Sequence, residues 1–253
     1  MRALITGAAH GLGRALTQEL LNNGHEVIAV DIDTDALDEL AVSSRGACLV
    51  RMADMANPDS IERMLASISG KPLDLVILNA GISATGRFED IPSSAYANLV
   101  AINLAAPIIM ASSLVRGGHM AKKSKLVFIS SLSHVTGYPG AAVYGATKDA
   151  LAVYAKSIRK AFKKRGVGVL TVYPGPIRTD HAEKHAPKGA KASKRMLPEM
   201  LAKKILKAAK GKSKELYPGG AAETARLLGK IAPNLATRMM RRAIFDKLDG
   251  PQY

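Results

Sequence analysis

Apolar residues in the first half of the chain fall into short unbroken runs, separated by stretches where they recur at helical spacing. The runs near Arg2–Thr6, Glu26–Asp31, Ala47–Arg51, Leu73–Leu78, Lys125–Ser130, Gly166–Tyr173 and Lys214–Tyr217 are β-rich and short, so each predicts a strand. Helical patterns lie between them, near Leu12–Asn22, Thr34–Ala41, Pro58–Ser69, Ser93–Val115, Val143–Arg165 and Pro198–Ala209. This alternation predicts βαβ units around a parallel sheet, and right-handed crossovers make that sheet doubly wound. Local punctuation agrees: Gly24 suits a left-handed C-cap, and Asn57-Pro58 supplies a cap followed by a first helical residue.

Two segments stand apart from the alternation. Asp180–Arg195, rich in Lys, Ala and His, has weak structural preference and follows a strand end, which predicts a mobile lid over about residues 180–197. Beyond Tyr217-Pro-Gly-Gly220, a helical pattern at Ala221–Lys230 breaks at Ala232-Pro-Asn234 and resumes from Leu235 to Leu248. There Leu235, Met239, Met240, Ala243, Ile244, Phe245 and Leu248 alternate with Arg238, Arg241, Arg242 and Lys247 as a basic amphipathic helix. The expected division is a single catalytic domain over residues 1–220 and a C-terminal extension over residues 221–253. At 253 residues and 47% hydrophobic composition, the chain can bury one full α/β core.

Charge sharpens this division. The net charge is +15, yet residues 1–150 carry −2 and residues 151–253 carry +17. The extension therefore has three readings: packing on its own domain or a second subunit, peripheral contact with an anionic membrane surface, or binding to nucleic acid or another acidic partner. Few aromatics (4%) and no tryptophan argue against nucleic acid. The apolar stretch Ala97–Val115 nears membrane-spanning length, but Asn98, Asn103, Pro107, Ser112 and Ser113 interrupt it, so it reads as a buried helix. A single cysteine, Cys48, allows no internal disulfide, and the chain enters a strand with no secretory n-region, so a cytoplasmic location is expected. His10, His119, His181 and His185 lack metal-ligand spacing with acids or the cysteine, and no metal site is expected.

The chemistry begins after the first strand. Thr6-Gly-Ala-Ala-His-Gly-Leu-Gly13 opens the first helix, as a phosphate-binding loop must. Gly7 allows a tight turn, Gly11 lets backbone approach a pyrophosphate, and Gly13 lets helix and strand pack closely, with His10 and Leu12 between them. Asp31 ends the second strand, where a carboxylate can accept from ribose hydroxyls and repel a 2′-phosphate. NAD is therefore favoured, with NADP the alternative that Arg14 and His10 could help accommodate. Asp33 and Asp35 read as ordinary loop and helix-start acids. Asp54-Met55 past the third strand and Asn79-Ala80-Gly81 past the fourth stand where a cofactor would pass; each could equally be turn chemistry.

A second constellation, Ser131, Tyr144 and Lys148, carries a reaction. Tyr144 and Lys148 at i,i+4 share a helix face, where the ammonium would pull the phenol pKa from about 10 toward neutral. A serine at a strand end could hold a carbonyl oxygen beside that phenol. Ser130 competes, and Ser133 and His134 follow closely, but the spacing to Tyr144 selects Ser131.

With these residues in place, the chain resembles the classical short-chain dehydrogenase/reductase family over at least residues 2–179, on Thr6–Gly13, Asp54, Asn79-Ala-Gly81, Asn103, Ser131, Tyr144-x-x-x-Lys148 and Pro174-Gly-Pro-Ile-Arg-Thr179 in order. The resemblance implies a Rossmann-type, three-layer α/β/α domain with a seven-stranded parallel sheet, and homodimers or homotetramers built through the two long helices. It implies that Tyr144 is the general acid/base and that Lys148 tunes it and holds the nicotinamide ribose. Ser131 would position the substrate oxygen, Asn103 would hold a water linking Lys148 to solvent, and Pro174, Gly175, Ile177 and Thr179 would border the nicotinamide. The implied activity interconverts a secondary alcohol and a ketone or aldehyde on a small-molecule substrate. The alternative, a catalytically silent nucleotide-sensing protein of the same fold, would be expected to lack one of Ser131, Tyr144 and Lys148, and all three are present.

Overall fold

Strand β1 (Arg2–Thr6) is buried along its whole length, which only a central strand with both faces covered can be. Its neighbours are β2 (Glu26–Asp31) on one side and β4 (Leu73–Leu78) on the other. The complete sheet is parallel and seven-stranded in the order β3-β2-β1-β4-β5-β6-β7, with β3 at Cys48–Met52, β5 at Met120–Ile129, β6 at Gly168–Val172 and β7 at Glu215–Leu216. The order reverses between β1 and β4, the switch point where ligands bind in such sheets. The chain thus has the doubly wound, three-layer Rossmann-type architecture. This computed structural model describes residues 1–253 except 45, 187, 188, 190, 191, 244, 248 and 249; Ile244, Leu248 and part of the expected lid lie outside the described residues.

Side chains alternate along each strand and feed two cores. On one face Leu4, Ile28, Val76, Leu126 and Phe128 meet Ile61, Leu65, Met110, Leu151 and Phe162 from helices Pro58–Ala66, Ser93–Arg116 and Ala142–Lys164. On the other, Ile5, Val27, Ile77, Val127 and Leu170 meet Leu16, Leu20, Leu37, Leu201 and Ile205 from helices Gly11–Asn22, Thr34–Ser43 and Pro198–Lys210. Helix Ser93–Arg116 is long and apolar enough to cross a membrane by length and composition, but it buries Leu99, Met110 and Leu114 in the domain as a core helix does.

Three elements differ from the sequence expectation. Strand β5 starts at Met120 rather than Lys125, through a register shift against β4 and a bond from Lys123 N–H to Gly166 O at 2.8 Å. Within the lid, Asp180–Lys184 is a helix, because the Thr179 hydroxyl caps it by accepting from Ala182 N–H at 3.1 Å. Helix Ser93–Arg116 is interrupted by a π turn at Ala101–Ala105. Pro107, four residues after Asn103, has no N–H to give the Asn103 carbonyl, which accounts for the interruption.

The extension forms helices Gly220–Ile231 and Pro233–Ala243, and both pack on the short helix Ser133–Thr136. Gly229 makes this possible: a Cβ there would sit 1.9 Å from the Val135 carbonyl oxygen. Thr237 Oγ1 donates to Thr136 O at 3.2 Å, and Gln252 pairs antiparallel with Thr85.

Candidate active site

Parallel strands all end at the same edge of the sheet, so residues far apart in sequence meet there. A cleft of about 1630 Å³ runs along this edge. Its wall includes Gly7, His10, Gly11, Leu12, Asp31, Asp54 and Met55 from the first three strand ends. Asn79, Ala80, Gly81, Ser131, Tyr144 and Lys148 form the middle, and Pro174, Gly175, Ile177 and Thr179 the far side. Thr6, Gly13 and Asn103 are buried just behind the wall.

At the β1 end, the glycine loop is held by side chains rather than by its own turns. Thr6 Oγ1 accepts from the N–H groups of Asn79 and Ala80, both at 3.0 Å, and Asn79 Nδ2 donates back to Thr6 O and Gly7 O at 3.0 and 3.1 Å. The first turn of helix Gly11–Asn22 holds no acid, and the His10 side chain makes no capping bond, which leaves the positive helix terminus open to an anion such as a pyrophosphate. These residues fit a dinucleotide. Asp31 accepts from Ala9 N–H at 2.9 Å and Ile32 N–H at 2.8 Å and still faces the cleft. Both nearby basic side chains are engaged by acids, the His10 ring by Asp33 at 2.7 Å and Arg14 by Glu39 at 3.3 Å. Asp33 also caps helix Thr34–Ser43, and that bond with Ala36 N–H followed by the His10 bond lowers its carboxyl pKa. Asp54 takes the Ala56 N–H at 2.8 Å in a tight turn while lining the cleft.

The middle of the cleft holds Ser131, Tyr144 and Lys148, with Asn103 buried behind them. Ser131 lines the cleft beside the Tyr144 phenol, whereas Ser130 donates to Lys148 O at 2.8 Å. Asn103 clamps the backbone of one residue from both sides, accepting from Ile82 N–H at 2.8 Å and donating to Ile82 O at 2.9 Å. Lys148 Nζ donates to Ile129 O at 3.0 Å and lies 5.8 Å from the Tyr144 ring centre. The expectation of a phenol drawn toward neutral pKa is corrected here. Burial pushes Tyr144 up to about 12, with the nearby Ser131 opposing it, and burial brings Lys148 down to about 8. An i,i+4 spacing places a lysine one turn from the phenol but does not show the burial that sets its pKa.

The wall beyond Tyr144 was missed by sequence reasoning, because it is assembled from four separate segments. Tyr138 meets Tyr144 edge to face at 6.0 Å. His181 and His185 pack 4.7 Å apart on the lid helix and its end, and burial, ahead of neighbouring positive charge, lowers both pKa values, His185 to about 4. Arg195 enters the cleft with Nη1 buried and without a hydrogen-bond partner among the described residues. Ala225 and Met240 from the extension complete this end. Only the His spacing at i,i+4 was a local signal. Ser133 lines the cleft, while His134 turns away to bond Asp149 and stack on Tyr173 at 5.2 Å.

Known proteins share this fold. The chain is 28% identical over 184 residues to the 3-oxoacyl-[acyl-carrier-protein] reductase of Buchnera aphidicola, covering 72% of this chain and 75% of the relative. Among solved structures, the closed form of a serine dehydrogenase complexed with NADP+ matches with a TM-score of 0.75 at 22% identity, over 85% of this chain and 94% of the other. The 3-ketoacyl-(acyl-carrier-protein) reductase of Brucella melitensis complexed with NADH matches with a TM-score of 0.73 at 21% identity, over 84% and 92%. Residues 1–189 match the model of the short chain dehydrogenase family, and a match over that much of the chain, on this fold, makes it a member of the short chain dehydrogenase family of oxidoreductases.

Proposed function

We propose that the protein is an NAD(P)-dependent oxidoreductase that interconverts a secondary alcohol and a ketone or aldehyde, with Tyr144 as general acid and base. The observation that carries this reading is that Ser131, Tyr144 and Lys148 line one cleft whose other end is an open helix terminus behind a glycine loop. The dinucleotide supplies or takes the hydride. The chain's own residues bind, orient and move the proton. Ser131 Oγ and Tyr144 Oη hold one substrate oxygen from two sides, and the phenol gives it a proton during reduction. Lys148 Nζ supports the phenol and carries the proton onward, with Asn103 placing its freed main-chain carbonyl for a water that reaches solvent. Arg195 Nη1 offers an unfilled donor to an acceptor group on the substrate. The substrate is a small-molecule alcohol or carbonyl compound. A cytoplasmic homodimer or homotetramer, built through the outward faces of helices Ser93–Arg116 and Ala142–Lys164, completes the reading; Val100 and Val153 are exposed there. The test is a panel of ketones and alcohols followed at the reduced-nicotinamide absorbance; a purified, dinucleotide-binding protein with no turnover on any of them would favour the silent sensing alternative.

The cofactor preference follows from Asp31. Its carboxylate faces the cleft and the nearby basic side chains, Arg14 and His10, are already engaged by acids, which disfavours a 2′-phosphate and supports NAD over NADP. Asp31→Ala is expected to shift the kcat/KM ratio of NADH to NADPH toward NADPH by about tenfold or more. An unchanged ratio would remove Asp31 from cofactor selection.

The pKa directions set the pH behaviour. A phenol raised to about 12 is protonated at neutral pH and ready to donate, so carbonyl reduction needs no prior ionisation. Lys148, lowered to about 8, keeps its charge below that pH and loses it above. Reduction is expected to be flat below about pH 7 and to decline above pH 8, while alcohol oxidation, which needs phenolate, rises with pH up to the same region. Parallel profiles in the two directions would contradict this.

A further inference from the structure

The two helices of the extension have two unlike faces. The inner face is committed: Ala222 and Ala236 are buried, Gly229 abuts Val135, and Ala225 and Met240 line the cleft. The outer face is uncovered. Leu227, Ile231, Leu235 and Met239 recur at four-residue intervals across both helices and are 56%, 74%, 48% and 54% exposed. Leu227 and Ile231 lie about one turn apart on the first helix and Leu235 and Met239 about one turn apart on the second, and four large exposed apolar side chains so close together in sequence are more than the scattered exposure usual on a soluble surface. Lys230, Arg238, Arg241 and Arg242 are exposed on the same two helices, Arg241 pairing with Asp246 at 3.8 Å, and the sequence of helix Pro233–Ala243 holds no acid. Glu223, the acid of helix Gly220–Ile231, is paired with Arg226 at 2.7 Å.

From this juxtaposition we propose that the outer face of helices Gly220–Ile231 and Pro233–Ala243 docks the protein on an anionic lipid bilayer, with the four apolar side chains entering the headgroup boundary and the arginines meeting lipid phosphates. Charge complementarity selects this occupant. A second copy using the same patch in a two-fold contact would set Arg238, Arg241 and Arg242 against their own counterparts, a like-charge arrangement. Nucleic acid would satisfy the arginines but leave the four apolar side chains in water. A bilayer satisfies both at once. The docked face is the back of the same helices whose inner residues Ala225 and Met240 line the cleft, so the cleft lies beside the lipid surface.

The full chain, incubated with vesicles of phosphatidylglycerol and phosphatidylcholine at low salt, is expected to co-sediment. Pure phosphatidylcholine vesicles or high salt should reduce binding by about tenfold or more. Two variants test the two halves of the face: Leu227→Ser with Ile231→Ser, Leu235→Ser and Met239→Ser, and Arg238→Glu with Arg241→Glu and Arg242→Glu. All seven positions are exposed, and each variant should lose vesicle binding while keeping the wild-type thermal transition. The proposal is overturned if the wild type does not bind anionic vesicles, or if the serine variant binds as well as the wild type. It is also overturned if that variant changes the oligomeric state of a protein that never sediments with lipid, which would assign the face to a second copy. Sedimentation reads binding without turnover, so the outcome is independent of the proposed reaction.

Discussion

Tyr144→Phe is expected to lower kcat for carbonyl reduction by about 10²–10⁴-fold, the usual contribution of a positioned proton donor. NADH affinity, measured by titration calorimetry, should stay within a few-fold of wild type. The separation follows from the packing. Phenylalanine keeps the ring that meets Tyr138 edge to face at 6.0 Å and the apolar contacts with Ala84, Ile91 and Leu99. It removes only the hydroxyl, on the cleft side that Ser131 also lines. Ser131 Oγ still accepts from Ser133 N–H at 3.2 Å, so the loop keeps its anchor and the melting temperature should shift little. Retained turnover in this variant would remove Tyr144 from the reaction. Loss of NADH binding together with turnover would mean that the phenol acts through the cofactor site instead.

Gly13→Ala should damage both binding and stability. The added methyl would lie 1.7 Å from Gly7 O and 2.8 Å from Asn79 Nδ2, and the nearer obstacle is backbone, which cannot rotate away. Either the glycine loop or the helix must move, and the loop is held by the four bonds that join Thr6 and Gly7 to Asn79 and Ala80. Overpacking of this kind costs about 3 kcal/mol, or roughly 6–12 °C in melting temperature for a chain of this size. Dinucleotide affinity should fall with it, since the helix terminus is displaced from the anion it would face. Gly220→Ala is the matched control: nothing lies within 4 Å of its added methyl and its φ is ordinary, so stability should hold. Equal behaviour of the two variants would contradict the steric account.

The parts of the fold legible in the sequence are those whose physics is local. Ile5, Ile28 and Val76 sit in runs short and apolar enough to be strands buried on both faces, and their alternation sends side chains to two cores. Gly7, Gly11 and Gly13 follow β1 and open a helix, a context that spacing alone reveals. What stayed hidden depends on distant partners. The start of β5 reads as a charged loop, Ala121-Lys-Lys-Ser-Lys125, and becomes strand through pairing with β4 and the Gly166 carbonyl. The high pKa of Tyr144 comes from burial by segments remote in sequence. Likewise Arg195, Tyr138 and Met240 reach one wall from three unrelated stretches, and no periodicity could bring them together. Gly229 looks like an ordinary helix glycine until Val135 is placed against it.

The π turn at Ala101–Ala105 acts as a change of gear within one helix. Leu99 and Met110 are about three turns apart and would share a face in an unbroken α-helix. Here the surplus residue rotates everything after it by about 100°. Leu99 therefore packs in the small cluster that includes Tyr144, while Met110 packs against the sheet. Asn103 sits at the splice between the two phases. Length is then as constrained as composition in this helix: substitutions at its surface are tolerable, but deleting a single residue would bring the two halves back into phase. The helix would become more regular, and it would lose contact with either the reacting phenol or the core.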